Sequence, residues 1–213
     1  MPARRESVEL PVADHPLPGI LAVPTEPRGV VLFAHGSGSG RASARNGVVA
    51  QVLWQSGFAT LLLDLLSDTE AAAGTFAFDI PLLAHRLCAA AAWLANRPDI
   101  GALPTGFAGS STGAAAALLA AASPNRRVHA VVSRAGRLDL VDPWLPRVTV
   151  PTLLLVGDAD PDVLRLNRVA LSRLAGPRRL EIVPRATHLF EEPGTLESAA
   201  GLAASWFSEH LAG

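Results

Sequence analysis

An alternation dominates this sequence: short apolar runs bounded by Gly and Pro are followed by longer stretches whose apolar residues recur at helical spacing. A run such as GVVLFA or PTLLLVG is too uniformly apolar for a strand with one wet face. It reads as a strand covered on both sides, and strand-helix-strand repetition builds a parallel sheet with crossover helices. Such strands are expected at 30–34, 59–63, 105–108, 129–133, 151–157 and 179–183, and helices at 44–56, 80–95, 113–122, 162–174 and 195–211. In the first helix Val48, Val49, Val52 and Leu53 share a face, and Gly57 suits its end. Leu83, Leu87, Ala90 and Leu94 do the same in the second, and Leu196, Ala200, Ala203, Phe207 and Leu211 in the last. Two N-terminal strands, 8–12 and 19–23, form an antiparallel flank. The Pro- and Gly-rich connection 134–151 is too short for a lid domain. The expected fold class is therefore α/β, one domain over 1–213 with a mostly parallel central sheet flanked by helices.

Composition removes several chemistries. All 18 basic residues are Arg, and the chain has neither Lys nor Tyr, so a Schiff-base lysine, a P-loop lysine and a Tyr general base are impossible. A net charge of −1 offers no basic face for nucleic acid. The lone Cys88 cannot form an internal disulfide, which is compatible with a reducing cytoplasm. The N-terminal stretch lacks the apolar run of a signal peptide, and no segment has the length of a membrane span. A cytoplasmic protein is expected, with no membrane partner, no metal and no cofactor; monomer and homodimer remain open.

Gly109-Ser110-Ser111-Thr112-Gly113 matches G-x-S-x-G between an expected strand and an expected helix. A turn this sharp strains the backbone at the nucleophile and leaves no room for side chains two residues to either side. Only Ser111 has glycine at both positions, so Ser111 is the expected nucleophile, with Ser110 buried or facing sideways. A serine hydroxyl is a weak nucleophile and needs a base and a group that orients the base. Of six histidines, His188 follows the 179–183 strand and precedes the last helix, where such a base is presented, whereas His85, His129, His15 and His210 lie on a helix, at a strand start or near the termini. The acid belongs after PTLLLVG, where Asp158, Asp160 and Asp162 all stand; Asp160 is the choice, with Asp158 next and Asp162 suited to a helix N-cap. The chain order Ser, Asp, His is that of α/β-hydrolases.

Acyl transfer places negative charge on a carbonyl oxygen, so two backbone N–H groups must face it. Thr112, the residue after the nucleophile, and Ser37 in the loop after the 30–34 strand are the expected oxyanion donors. The same loop has a rival reading. Gly36, Gly38 and Gly40 follow a strand and precede a helix, and Asp64 ends the next strand, as in a dinucleotide-binding unit; the spacing is G-x-G-x-G, however, not G-x-G-x-x-G.

The loop HGSGSGRASARN, the elbow GFAGSSTGAAAAL, the strand PTLLLVGDADPDV and the stretch ATHLFEEPGTLE together resemble the dienelactone hydrolase family, in a small lidless branch, over residues 29–211. The resemblance implies an eight-stranded hydrolase sheet and hydrolysis of small esters or lactones through an acyl-enzyme. Members of this branch also occur fused to phosphoribosyltransferase domains. The dienelactone hydrolase proper carries cysteine at the elbow, and Ser111 looks more like a general carboxylesterase. A lidless site is expected to favour short acyl groups. Gly36, Arg45 and Arg134 are candidates for contacting substrate. Arg41, Asn46 and Arg137 lie near the same sheet ends, where Arg could clamp a carboxylate or simply pair with Asp residues. Glu191, Glu192 and Pro193 are expected to cap the last helix and position His188. A catalytically silent binding module and an acyltransferase using the same residues are the competing functions.

Overall fold

The computed structural model describes residues 4–11, 16–124 and 127–211. Val12, the expected end of the first strand, and His15 lie outside the described residues. Eight strands, β1 (Arg4–Leu10), β2 (Leu17–Val23), β3 (Gly29–Ala34), β4 (Phe58–Leu63), β5 (Thr105–Ser110), β6 (Ala130–Arg134), β7 (Thr152–Gly157) and β8 (Arg178–Val183), form one sheet in the order β1-β2-β4-β3-β5-β6-β7-β8. The first two strands join antiparallel, and every pairing from β4 onward is parallel. This is the α/β architecture expected from the sequence. No helix among the described residues is long and apolar enough to cross a membrane.

The helices are α1 (Ala44–Gln55), α2 (Asp68–Ala73), α3 (Ile80–Ala95), α4 (Thr112–Ala121), α5 (Pro161–Arg173) and α6 (Thr195–His210). Each buried strand sends alternate side chains to opposite faces. Val30 and Leu32 of β3 join a core with α3 and α4, and Val31 and Phe33 join one with α1 and α6. The poly-Ala run finds its reason here. Ala114, Ala115, Ala116 and Ala117 of α4 have no exposed surface, because the helix is wedged between the sheet, α3 and a 3-10 segment, Leu138–Arg147. That segment fills the Pro-rich connection and buries Leu138, Val141 and Leu145 against α4 and α5; it is packing, not a lid.

Two details differ from the sequence reading. Helix α5 starts at Pro161 with Asp160 in the cap position, so Asp162 lies in its first turn and is not the N-cap. Helix α2 was not expected, because it buries no residue and carries no apolar stripe. What holds it is polar. Ser67 and Glu70 form a capping box, and the Glu70 carboxylate takes two bonds from Arg86 of α3, at 2.7 and 2.8 Å. Arg86 is 6% exposed and also donates to the Leu65 carbonyl at 2.8 Å. Its guanidinium pulls the Glu70 carboxyl down to about 2 against the burial that opposes it.

A carboxyl held below its unfolded value stabilises the fold above that value and stops doing so as pH falls through the folded one. Glu70→Gln should therefore destabilise the protein at neutral pH, on the order of 3 kcal/mol because it strands a buried cation. The gap between variant and wild type in denaturant unfolding should close as pH falls from about 4.5 toward 2. A gap independent of pH over that window would show that the ion pair is not what Glu70 contributes.

Candidate active site

Strand β5 ends at Ser110 and α4 begins at Thr112, leaving Ser111 as the whole junction. It has φ 51° and ψ −120°, a conformation that costs a non-glycine residue on the order of 1–3 kcal/mol. Neighbours hold it there: the Ser111 amide donates to the Arg134 carbonyl at 3.1 Å, and the Ser111 carbonyl accepts from the amides of Arg137 at 3.1 Å and Ala114 at 3.2 Å. The flanking glycines are sterically required. A Cβ on Gly113 would lie 2.0 Å from the Ala34 carbonyl oxygen, and one on Gly109 2.5 Å from the Ala114 Cα. Ser110 faces sideways, half-buried, with its hydroxyl accepting from the Gly36 amide at 3.3 Å.

The three downstream aspartates separate by partner. Asp160 Oδ2 lies 2.7 Å from Nδ1 of His188, whose side chain is 38% exposed at the cleft. Asp158 instead accepts the Arg185 amide at 2.6 Å, and Asp162 is an exposed first-turn residue of α5. The loop carrying His188 is held by Glu192, which accepts from the Thr187 amide at 3.0 Å and from the Thr187 hydroxyl at 2.7 Å. Glu192 therefore clamps the loop and does not cap α6, whose N-cap is Gly194. Glu191 reaches across to Arg45 at 2.9 Å. All four described non-glycine residues with positive φ, Ser111, Ala135, Arg185 and Phe190, lie at the strand-to-helix elbow, beside Arg134 or on either side of His188.

The loop after β3 packs onto the elbow. The Ser37 amide donates to the Thr112 hydroxyl at 3.2 Å, and the Thr112 amide, first of its helix, has no carbonyl one turn back to bond. Asp64, at the end of β4, ties the loop down. Its carboxylate accepts the Arg41 amide at 2.6 Å, pairs with the Arg41 guanidinium, and stands 3.4 Å from His35 Nε2. Burial pushes the Asp64 carboxyl up, but His35 and Arg41 outweigh it and leave it below the ordinary range. The carboxylate that the sequence offered to a dinucleotide ribose is thus used by the loop itself. Among the described residues, no group of three His, Cys, Asp or Glu side chains is placed to hold a metal ion.

Two spaces meet at this loop and share Gly36, Ser37 and Ser39 as a wall. One, of about 150 Å³, is lined by Ser110, Ser111, His188, Leu189, Arg45 and Arg134. The other, of about 280 Å³, has an apolar floor of Leu66, Ala71, Ala77 and Leu83 and contains neither Ser111 nor His188. Arg134 is 9% exposed, with Phe190 beneath its guanidinium at 5.5 Å. Burial and the like charge of Arg45 hold that guanidinium down to about 10, still a cation at neutral pH. The structure thus gathers Ser111, His188, Gly36, Ser37, Arg45 and Arg134 around one cleft, with Asp160 behind His188 and Thr112 in the wall of the second space. Asn46 is buried beside the elbow, away from that cleft, and Arg137 pairs with Asp139. The expectation that Glu192 positions His188 is met through Thr187, although not by capping α6, whereas sequence reasoning did not find Asp64 as a loop anchor; its signal was only a carboxylate at a strand end, which many structural roles share.

No family model matches the chain. A solved structure of a dienelactone hydrolase from Anabaena variabilis is 48% identical, with 99% of this chain and 100% of that one aligned at a TM-score of 0.95. A Mycobacterium tuberculosis protein named for phosphoribosyl transfer is 54% identical over 212 residues, covering 100% of this chain and 48% of that protein. The chain therefore spans about half the length of the curated relatives it matches. A more distant likeness, to Est1E of Butyrivibrio proteoclasticus at 16% identity and a TM-score of 0.81, speaks for the fold alone.

If Asp64 is the anchor of the 35–41 loop, Asp64→Ala should speed amide hydrogen exchange at Arg41 by roughly ten- to hundredfold, the loss of a charge-assisted bond, while exchange in β3 and α4 stays as it was. Unchanged protection at Arg41 would mean that the loop is held by something else.

Proposed function

We propose, for a chain that belongs to the dienelactone hydrolase family, that it hydrolyses small carboxylic esters or lactones through an acyl-enzyme on Ser111. The observation that supports the reading is the 2.7 Å contact of Asp160 with His188 Nδ1, which leaves the opposite ring nitrogen for a proton from Ser111, a residue of the same cleft lining. His188 takes the proton of Ser111 as the hydroxyl attacks the carbonyl carbon. The oxyanion is received by the amides of Thr112 and Ser37, with the substrate oxygen replacing the Thr112 hydroxyl as acceptor of the Ser37 N–H. Donors of this kind are worth about 3 kcal/mol of barrier each. His188 then protonates the leaving oxygen, and a water activated by the same imidazole releases the acyl group. Asp160 stays ionised and fixes the tautomer.

The leaving oxygen takes its proton from His188, so the alcohol lies on the His188 side of Ser111 and the acyl chain points past Ser37 and Thr112 into the apolar space. At about 280 Å³ that space is near the lower end of small-molecule sites and suits short chains. The Ser111, His188 and Asp160 arrangement serves acyl transfer rather than the phosphoribosyl transfer named for relatives of which this chain spans half.

On p-nitrophenyl acetate and butyrate, wild type should turn over and form a fluorophosphonate adduct, located on Ser111 by mass. Ser111→Ala should lose both. Asp160→Asn should cost about 10⁴-fold in kcat, as loss of the tautomer-fixing acid does elsewhere. Asp158→Asn should stay within about tenfold, equivalent to about 1.4 kcal/mol. Neither turnover nor adduct on folded wild type would favour a binding module, and faster cleavage of long-chain esters than of butyrate would overturn the acyl assignment.

A further inference from the structure

Helix α5 turns an apolar stripe of Val163, Leu164 and Ala170 inward, and Asn167 stands within it with no exposed surface. A polar side chain in such a place is unfavourable unless its groups are matched, and here the match is partial. Asn167 Nδ2 donates to the Val163 carbonyl one turn back and to the Gly136 carbonyl, each at 2.9 Å, while Oδ1 has no hydrogen-bond partner among the described residues. An apolar residue would complete the stripe without that penalty. What the amide adds is the bond to Gly136, 31 residues away along the chain.

Gly136 belongs to the turn that follows β6, and that turn clamps the backbone of Ser111. The Arg134 carbonyl accepts the Ser111 amide and the Arg137 amide donates to the Ser111 carbonyl, both at 3.1 Å. The turn is itself unfavourable: Ala135 has φ 48°, and a Cβ on Gly136 would lie 2.2 Å from Ser133 Oγ. Backbone of this kind persists only where its surroundings over-determine it. Strand β7 supplies one anchor, its Leu155 carbonyl accepting the Ala135 amide at 2.8 Å, and Asn167 supplies another. The same helix has Asp160 at its N-terminal cap, about 10 Å away along the axis. One rigid element thus bears both the partner of His188 and an anchor of the turn that holds Ser111. We propose that Asn167 is a positioning residue for the nucleophile: by holding the Gly136 carbonyl it fixes the 134–137 turn, and through that turn the place of Ser111 relative to His188. This inference rests on the reading of Ser111 given above. Asn167 itself touches neither Ser111 nor substrate.

Asn167→Leu keeps the volume and removes the donor. It should lower kcat on p-nitrophenyl butyrate by about ten- to hundredfold with KM within about threefold, because a nucleophile displaced by about 1 Å loses rate rather than binding. Fluorophosphonate labelling of Ser111 should slow in parallel. Amide hydrogen exchange at Ser111 and Arg137 should speed by roughly tenfold, while β3 and β4 keep their protection. The midpoint of the acid limb of kcat/KM should stay in place, since the Asp160 contact with His188 does not pass through Asn167. Leu174→Ala, a packing loss at the far end of α5, should lower the melting temperature and leave kcat within about twofold. If Asn167→Leu does not fold, Asn167→Ala carries the same expectations. Wild-type kcat and labelling in a folded Asn167 variant would overturn the proposal and leave the hydrolase reading standing. So would a loss of kcat with the Ser111 and Arg137 amides still protected, a shifted acid limb, or an equal loss in Leu174→Ala. Neither turnover nor labelling of the wild type would overturn both.

Discussion

Helix α4 begins so close to the end of β3 that a single methyl group on Gly113 would collide with the Ala34 carbonyl, and the geometry of the site descends from that approach. The chain reverses from strand to helix in one residue, which forces Ser111 into positive φ and lifts its side chain out of the sheet. The alanines of α4 let the helix sit deep between the sheet, α3 and the Leu138–Arg147 segment, and their burial offsets the strain at its first turn. The same approach brings the loop after β3 against the elbow, so that Gly36 reaches Ser110 and Ser37 reaches Thr112.

Around this elbow carboxylates hold the loops. Asp64 fastens the loop after β3, Asp160 turns His188, Asp158 receives the Arg185 amide, and Glu192 closes on Thr187. Each carboxylate satisfies a backbone amide, a guanidinium or an imidazole nitrogen that would otherwise be left bare at a sheet end. The division also explains why three aspartates within five residues are not interchangeable: one faces the histidine, one a backbone amide and one the solvent on a helix turn. Against this pattern of matched charges, the buried Arg134 beside Ser111 is the exception, with the Phe190 ring 5.5 Å from its guanidinium and no carboxylate partner among the described residues.

Much of the fold was legible in the sequence because burial leaves a periodic trace. Both-face burial makes the strands read as continuous apolar runs, and helices α1, α3 and α6 show stripes at helical spacing. Helix α2 left no such trace, since it is held by Ser67, Glu70 and Arg86 and buries nothing; its S-x-x-E box was present at 67–70 but had no apolar run to support it. The Pro-rich connection concealed a 3-10 segment because Pro143 and Pro146 look like breakers even though the same segment buries Leu138, Val141 and Leu145.

By itself the sequence determined the parallel α/β sheet and the elbow at Ser111, because burial periodicity and the steric need for Gly109 and Gly113 are local properties of the chain. Only the tertiary structure decided which aspartate meets His188, that Asp64 serves its own loop, and that Glu191 pairs with Arg45 while the buried Arg134 has no carboxylate. Those outcomes depend on where side chains from distant segments converge. Residues 64 and 41, or 160 and 188, become neighbours only when the sheet brings its carboxyl ends together, and no spacing along the chain encodes an angle between them.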